Sequence, residues 1–168
     1  MDVDRLGRVE PEYKWADNYA ALRRGEGCPM CEGGADETPH GVRVFEGRWA
    51  DGYLGRHPVR PGYSYVIWKG RHVAEPSDLS ADEAAGFWTE VALVAAVLEE
   101  CYRPAKMNWF HLGNGVPHLH VHLVPRPHDD ARAGIPVESD AFDVSRTPPI
   151  DAAQLEAEAA SLRDRLGR

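Results

Sequence analysis

The sequence predicts an α+β fold: an antiparallel sheet of about five strands with one long helix packed on it, flanked by N- and C-terminal helices. Three observations predict it. The strand-like segments cluster in hairpin-capable groups and do not alternate one by one with helices, as a doubly wound parallel sheet would require. One stretch, residues 81–100, carries by far the clearest helical period. Neither a G-x-G-x-x-G nor a Walker motif is present, so the familiar phosphate loops of parallel nucleotide-binding sheets are absent.

Each element has a local cause. Trp15, Tyr19 and Leu22 fall at i, i+4 and i+7, which predicts a helix over 12–24, stopped by Gly25 and Gly27. Gly41 to Phe45 and Trp49 to Leu54 are strand-like and join across Glu46-Gly47-Arg48, a hairpin turn. Pro61-Gly62 opens the strongest β segment of this half, Tyr63 to Trp68. Ser80-Ala81-Asp82-Glu83 fits a capping box, and Phe87, Val91, Val94 and Leu98 form one apolar stripe behind it. Pro104 ends that helix. Residues 106–111 and 116–124 read as strands around the turn Gly113-Asn114-Gly115. From Pro125 to Pro149 the chain lacks periodicity and reads as a long loop. Leu155, Ala159, Leu162 and Leu166 share the face of a final helix, with Asp151 as its cap.

With 168 residues the chain has room for a single domain, 1–168. Its hydrophobic share of 43% and charged share of 27% exclude wholesale disorder, collagen and coiled coil. No apolar run approaches the ~20 residues that span a bilayer. The N-terminal stretch has no apolar h-region, so no secretory signal is expected and the expected compartment is the cytoplasm. The net charge of −8 repels a phosphate backbone, which argues against nucleic acid as a partner but leaves room for a small phosphorylated ligand in a locally positive pocket; with no bilayer-spanning run, no membrane partner is expected. Three cysteines are too few for a disulfide framework; Cys28 and Cys31 form a C-x-x-C knuckle, and Cys101 reads as a small buried hydrophobe.

The chemistry concentrates in His118-Leu119-His120-Val121-His122. In a strand alternate side chains share a face, so three imidazoles project one way while Leu119, Val121 and Leu123 face the core. Two uses fit this arrangement. Neighbouring i, i+2 histidines share a metal ion, or the central ring is a nucleophile whose neighbours set its tautomer and protonate a leaving group.

The run from Leu112 to Arg126, Leu-Gly-Asn-Gly-Val-Pro-His-Leu-His-Val-His-Leu-Val-Pro-Arg, resembles the signature of the histidine triad (HIT) superfamily. Arg60-Pro61-Gly62-Tyr63, followed by a turn from Lys69 to His72, resembles the family's Pro-Gly-His strand and Lys/His turn, and Cys28-Pro29-Met30-Cys31 resembles the knuckle of many bacterial members. The resemblance covers about residues 28–126. It implies a HIT-like fold and a nucleotidyl hydrolase that cleaves at the α-phosphate of a dinucleoside polyphosphate, nucleoside phosphoramidate or adenylate. It implies His120 as the nucleophile that carries the nucleotidyl group and His122 as proton donor; His118 orients the nucleophile in zinc-free relatives and is a zinc ligand in those with the knuckle. Asn108, Gly113, Asn114 and Gly115 are then the substrate-binding residues. The zinc ligands of knuckle-containing relatives map onto Cys28, Cys31, His72 and His118, a closed Cys₂His₂ set expected to be structural. No organic cofactor is implied, and a homodimer is.

Three departures stand out. Asn114-Gly115 replaces a Gln followed by Ser or Thr, so a side-chain donor to the leaving group is missing. Gly55 aligns with an Asp that commonly holds the ribose, and Tyr63 replaces the histidine of Pro-Gly-His. Arg126, His128 and Arg132 in the loop after the triad offer substitutes but read first as solvated surface, and Arg60, Lys69 and Arg71 read first as the charged rim of a strand end, with a phosphate-steering patch as the alternative. The alternatives to a hydrolase are a transferase or phosphorylase of the same family, a cupin-like metal enzyme using His118 and His120, and a non-catalytic, zinc-stapled nucleotide-binding protein.

Overall fold

The computed structural model describes residues 14–137, 139–142 and 147–167. Six strands form one antiparallel sheet in the order β1-β2-β3-β4-β6-β5. They are β1 (Glu37–Thr38), β2 (Gly41–Glu46), β3 (Ala50–Gly55), β4 (Ser64–Trp68), β5 (Lys106–Phe110) and β6 (His120–Arg126). Helix α1 (Tyr19–Arg23) precedes the sheet, α2 (Ala81–Tyr102) lies between β4 and β5, and α3 (Ala152–Leu166) follows β6. The sixth strand is the two-residue β1, too short for a period of two to register in the sequence.

Helix α2 starts as its capping box demands: the Ser80 hydroxyl accepts from the Glu83 amide at 3.3 Å, and the Glu83 carboxylate accepts from the Ser80 amide at 2.8 Å. It ends at Arg103, held left-handed at φ 44° just before Pro104. Its stripe of Phe87, Val91, Val94 and Leu98 is fully buried against Val42, Val44, Leu54, Val66, Val121 and Leu123 of the sheet, and α3 adds Leu155, Ala159 and Leu162 to the same core. Both helices therefore cover one sheet face. The Glu90 carboxylate, on α2, accepts from the amides of Arg48, Trp49 and Ala50 at 2.9, 2.9 and 2.7 Å, which ties the β2–β3 hairpin to the helix.

Three expectations change. The N-terminal helix is only Tyr19–Arg23, because residues 14–18 are not helical; residues 12 and 13 lie outside the described residues. The strand expected over 116–124 starts at His120 and runs to Arg126. Before it, Pro117 lacks an amide proton and His118 N donates to Val116 O at 2.8 Å, a local turn that uses the donor a ladder would need. The loop after β6 is also not structureless: Ser139–Phe142 form a short 3-10 turn. Among the described residues, no helix is long and apolar enough to cross a membrane.

Candidate active site

The sheet face away from the helices carries the chemistry. The β4–β6 register pairs Tyr65 with His122 and Ile67 with His120, so these side chains share that face, with Tyr63 two residues before Tyr65. A cavity of about 700 Å³ opens over it. His120 and His122 line its base, Tyr63 and Tyr65 one wall, and the turn from Leu112 to Val116 another. Gly113 holds φ +68°, a conformation that favours glycine, and among the described residues the Asn114 and Gly115 amides have no internal acceptor. Tyr19 of α1 donates its hydroxyl to Gly113 O at 3.3 Å and so ties the first helix to this turn.

Hydrogen bonds to backbone carbonyls define the ring protons. His120 Nδ1 lies 2.6 Å from His118 O. A carbonyl only accepts, so Nδ1 carries the proton and Nε2 keeps its lone pair. Burial pushes the His120 pKa down to about 4, so the ring is neutral at pH 7. Burial likewise pushes His122 down to about 3. The His122 ring packs edge-on to His120 with centroids 4.8 Å apart, and its Nδ1 lies 2.8 Å from the Tyr63 hydroxyl. His111 Nδ1 donates to His120 O at 3.0 Å, holding the strand from the β5 side.

His118 does not join this pair. It precedes the strand, is 1% exposed, and donates Nε2–H to Trp68 O at 3.0 Å. Its free Nδ1 faces Cys28 Sγ at 3.5 Å and Cys31 Sγ at 3.6 Å. His72 does the same, with Nε2 donating to Arg23 O at 3.2 Å and Nδ1 lying 3.2 Å from Cys31 Sγ. The four ligating atoms lie within 4.8 Å of one another. Bonds of about 2.3 Å to sulfur and about 2.1 Å to nitrogen in a tetrahedral site require N···S separations of about 3.6 Å. The donor set therefore fits a tetrahedral metal ion, and both imidazoles are already oriented by carbonyls. The expectation of three imidazoles on one pleat is thus corrected to two and one. A metal shared by His118 and His120 does not match, because the two rings address different places.

Other expected residues sit elsewhere. Asn108 is outside the cavity lining, and its side-chain oxygen accepts from Arg126 at 2.9 Å. Arg126 is buried and paired with Asp130, and His128 is exposed. Arg60, Lys69 and Arg71 are engaged by Asp130, Asp51 and Glu83. The sequence reading missed Met30, His40, His57 and Phe142, which also line the cavity. Phe142 lies against His122 with ring centroids 4.7 Å apart. Tyr63 and Tyr65 were legible as one face of a strand, but only the register puts that face beside His122.

Residues 53–129 match the family model described as the HIT domain. The chain is 31% identical over 98 residues to the asymmetrical bis(5'-nucleosyl)-tetraphosphatase of Schizosaccharomyces pombe, covering 55% of this chain and 53% of the relative. It thus spans about half the length of that curated relative. Among solved structures, a histidine triad protein from Bradyrhizobium japonicum superposes with a TM-score of 0.66 at 24% identity, covering 76% of this chain and 91% of that one. A Zn-bound histidine triad family protein from Mycobacterium smegmatis gives 0.55 at 22% identity, over 89% of this chain and 91% of that one.

The buried imidazoles set an acid limit. An unfolded histidine titrates near pH ~6.5, whereas His122 is held neutral down to about 3. Its contribution is fully present above the unfolded value and is lost as pH falls, because the unfolded chain then binds a proton that the fold refuses. Stability should therefore drop between pH 7 and pH 5 by up to about 1.4 kcal/mol per pH unit for this group. Urea unfolding should show that the loss is smaller in His122→Gln.

Proposed function

Because the chain belongs to the histidine triad (HIT) superfamily, we propose that it is a nucleotide hydrolase that cleaves at the α-phosphate through a nucleotidyl intermediate on His120. The observation that carries this reading is the 2.6 Å hydrogen bond from His120 Nδ1 to His118 O, which leaves a neutral Nε2 lone pair at the base of the cavity. In this reading Nε2 forms a bond to the α-phosphorus as the bond from phosphorus to the leaving group breaks. His122 gives the departing atom its proton. Water then attacks phosphorus, returns a proton to His122, and the phosphorus–nitrogen bond breaks. The amides of Asn114 and Gly115, without an acceptor among the described residues, receive the phosphate oxygens, where negative charge grows. Asn108 acts in this scheme through Arg126, not by touching substrate. The substrate class is a nucleoside phosphate derivative, in keeping with the tetraphosphatase activity in the name of the fungal relative.

The same reading includes a zinc ion on Cys28, Cys31, His72 and His118, supported by the fit of the donor set and by a Zn-bound relative of the same fold. Four protein ligands leave no open position, so the ion's contribution is structural. These residues join the N-terminal segment to the turn before β6, and His118 then offers its carbonyl to His120. A second copy of the chain completes the proposal. The sheet ends at β5, whose outer edge is unpaired among the described residues, and Trp109 on it is 41% exposed.

Three measurements test this. His120→Ala should lower adenylate turnover by about 10⁴-fold or more while AMP still binds, and wild type quenched in mid-turnover should carry acid-labile phosphate on His120. Unchanged turnover in that variant would remove the mechanism. Metal analysis should find about one zinc per chain, and Cys31→Ser should lose it together with part of the melting temperature; a metal-free protein of full thermal stability would refute the ion. Light scattering after size exclusion should read twice the chain mass, and a monomer at micromolar concentration would refute the dimer.

A further inference from the structure

Tyr63 and Gly55 depart from the family pattern together, and the structure makes them one feature. The residues face each other one step beyond the last β3–β4 pair, Leu54 with Ser64, where Gly55 N donates to Tyr63 O at 2.8 Å. A Cβ on residue 55 would lie 2.4 Å from Tyr63 Cδ1 and 2.7 Å from Cε1, far inside contact distance. The phenol ring therefore occupies the space a side chain at 55 would need, and glycine is the residue that lets it lie there. So placed, the ring stacks beside His122 with centroids 6.0 Å apart and 14° between planes, and Phe142 closes on both rings.

The direction of the Tyr63–His122 hydrogen bond follows from counting protons. A phenol has one proton to give. If His122 Nδ1 donated, the Tyr63 proton would have no acceptor among the described residues, in a place where burial holds the phenol protonated far above its ordinary range. If Tyr63 donates, the phenol proton has its acceptor, and the proton left over sits on His122 Nε2, which has no partner among the described residues and is not sealed from the cavity that His122 lines. A neutral imidazole accepting at Nδ1 carries its own proton at Nε2.

We infer that Tyr63 is a positioning residue, seated by Gly55, that fixes His122 in the Nε2–H tautomer and so gives the cavity its proton donor. The inference rests on the hydrolase reading only for the use of that proton, not for its location. His120 is set the opposite way, with its proton on Nδ1 and its lone pair on Nε2. Neighbouring rings of one strand thus present a lone pair and a proton through the same atom type. The device is the pairing of a carbonyl acceptor for one ring with a hydroxyl donor for the next.

The test has two arms on the full-length protein. In ¹⁵N-labelled wild type, long-range proton–nitrogen correlation should give His122 a pyrrole-type Nε2 and a pyridine-type Nδ1; Tyr63→Phe, which keeps the ring and removes the donor, should show both tautomers. The reverse assignment in wild type, or an unchanged spectrum in Tyr63→Phe, overturns the inference, whether or not any substrate is turned over. In the kinetic arm, with a nucleoside phosphoramidate as probe, Tyr63→Phe should lower kcat by about 10- to 100-fold with KM within about threefold. Unaltered kcat overturns the inference. A wild type inactive on every adenylate, together with the expected spectrum, instead defeats the hydrolase reading and leaves the tautomer assignment standing.

Discussion

The site is organised by backbone carbonyls that take one proton from each of three imidazoles. His118 O accepts from His120, Trp68 O from His118 and Arg23 O from His72. A carbonyl has no proton to give, so each bond leaves the opposite nitrogen with a lone pair. The consequence depends on what that nitrogen faces. For His118 and His72 it faces thiols, which makes a metal-ligand geometry. For His120 it faces open space lined by aromatic rings and by the Asn114 and Gly115 turn, whose amides have no partner among the described residues. Identical side chains acquire different chemistry from the direction in which one hydrogen bond points.

Two of those carbonyls, on Trp68 at the end of β4 and on His118 just before β6, are fixed because the sheet they adjoin cannot shift. A slip of one residue in β6 would turn Val121 and Leu123 out of the core and the imidazoles into it. Val121, Leu123, Phe87, Val91 and Val94 are all buried to 1% exposure or less, so that slip would expose several fully buried side chains. The helices thus protect the register of the opposite face without touching it. Burial has a second effect there: it strips solvent from His120 and His122 and keeps both rings neutral.

Much of this was legible in the sequence. Ser80 and Glu83 announced α2, the Phe87 stripe its buried face, and Asp151 the start of α3, where it accepts from the Ala153 and Gln154 amides. The alternation of His with Leu and Val announced a two-sided strand. Other features were not legible. The length of α1 failed because Trp15 has the right spacing but is exposed, with no core to pay for a longer helix. Arg60 and Arg126 read as free cations, yet both are bound to Asp130, a partner 70 residues from one and four from the other. Asn108 read as a substrate contact, but its amide is held by Arg126.

What the sequence by itself determined is what covalent geometry makes periodic: the helices, the strand that alternates histidine with apolar residues, and the spacing of the two knuckle cysteines. Tertiary structure alone decided how those histidines divide. It turned His118 toward Cys28 and Cys31, nearly 90 residues upstream, and left His120 and His122 in the cavity. It also brought the Tyr63 hydroxyl to His122 across a β4–β6 register that no local pattern encodes. The physical reason is that side-chain period is set by the backbone within a few residues, whereas register and ring orientation are set by which distant groups must be buried or hydrogen-bonded together.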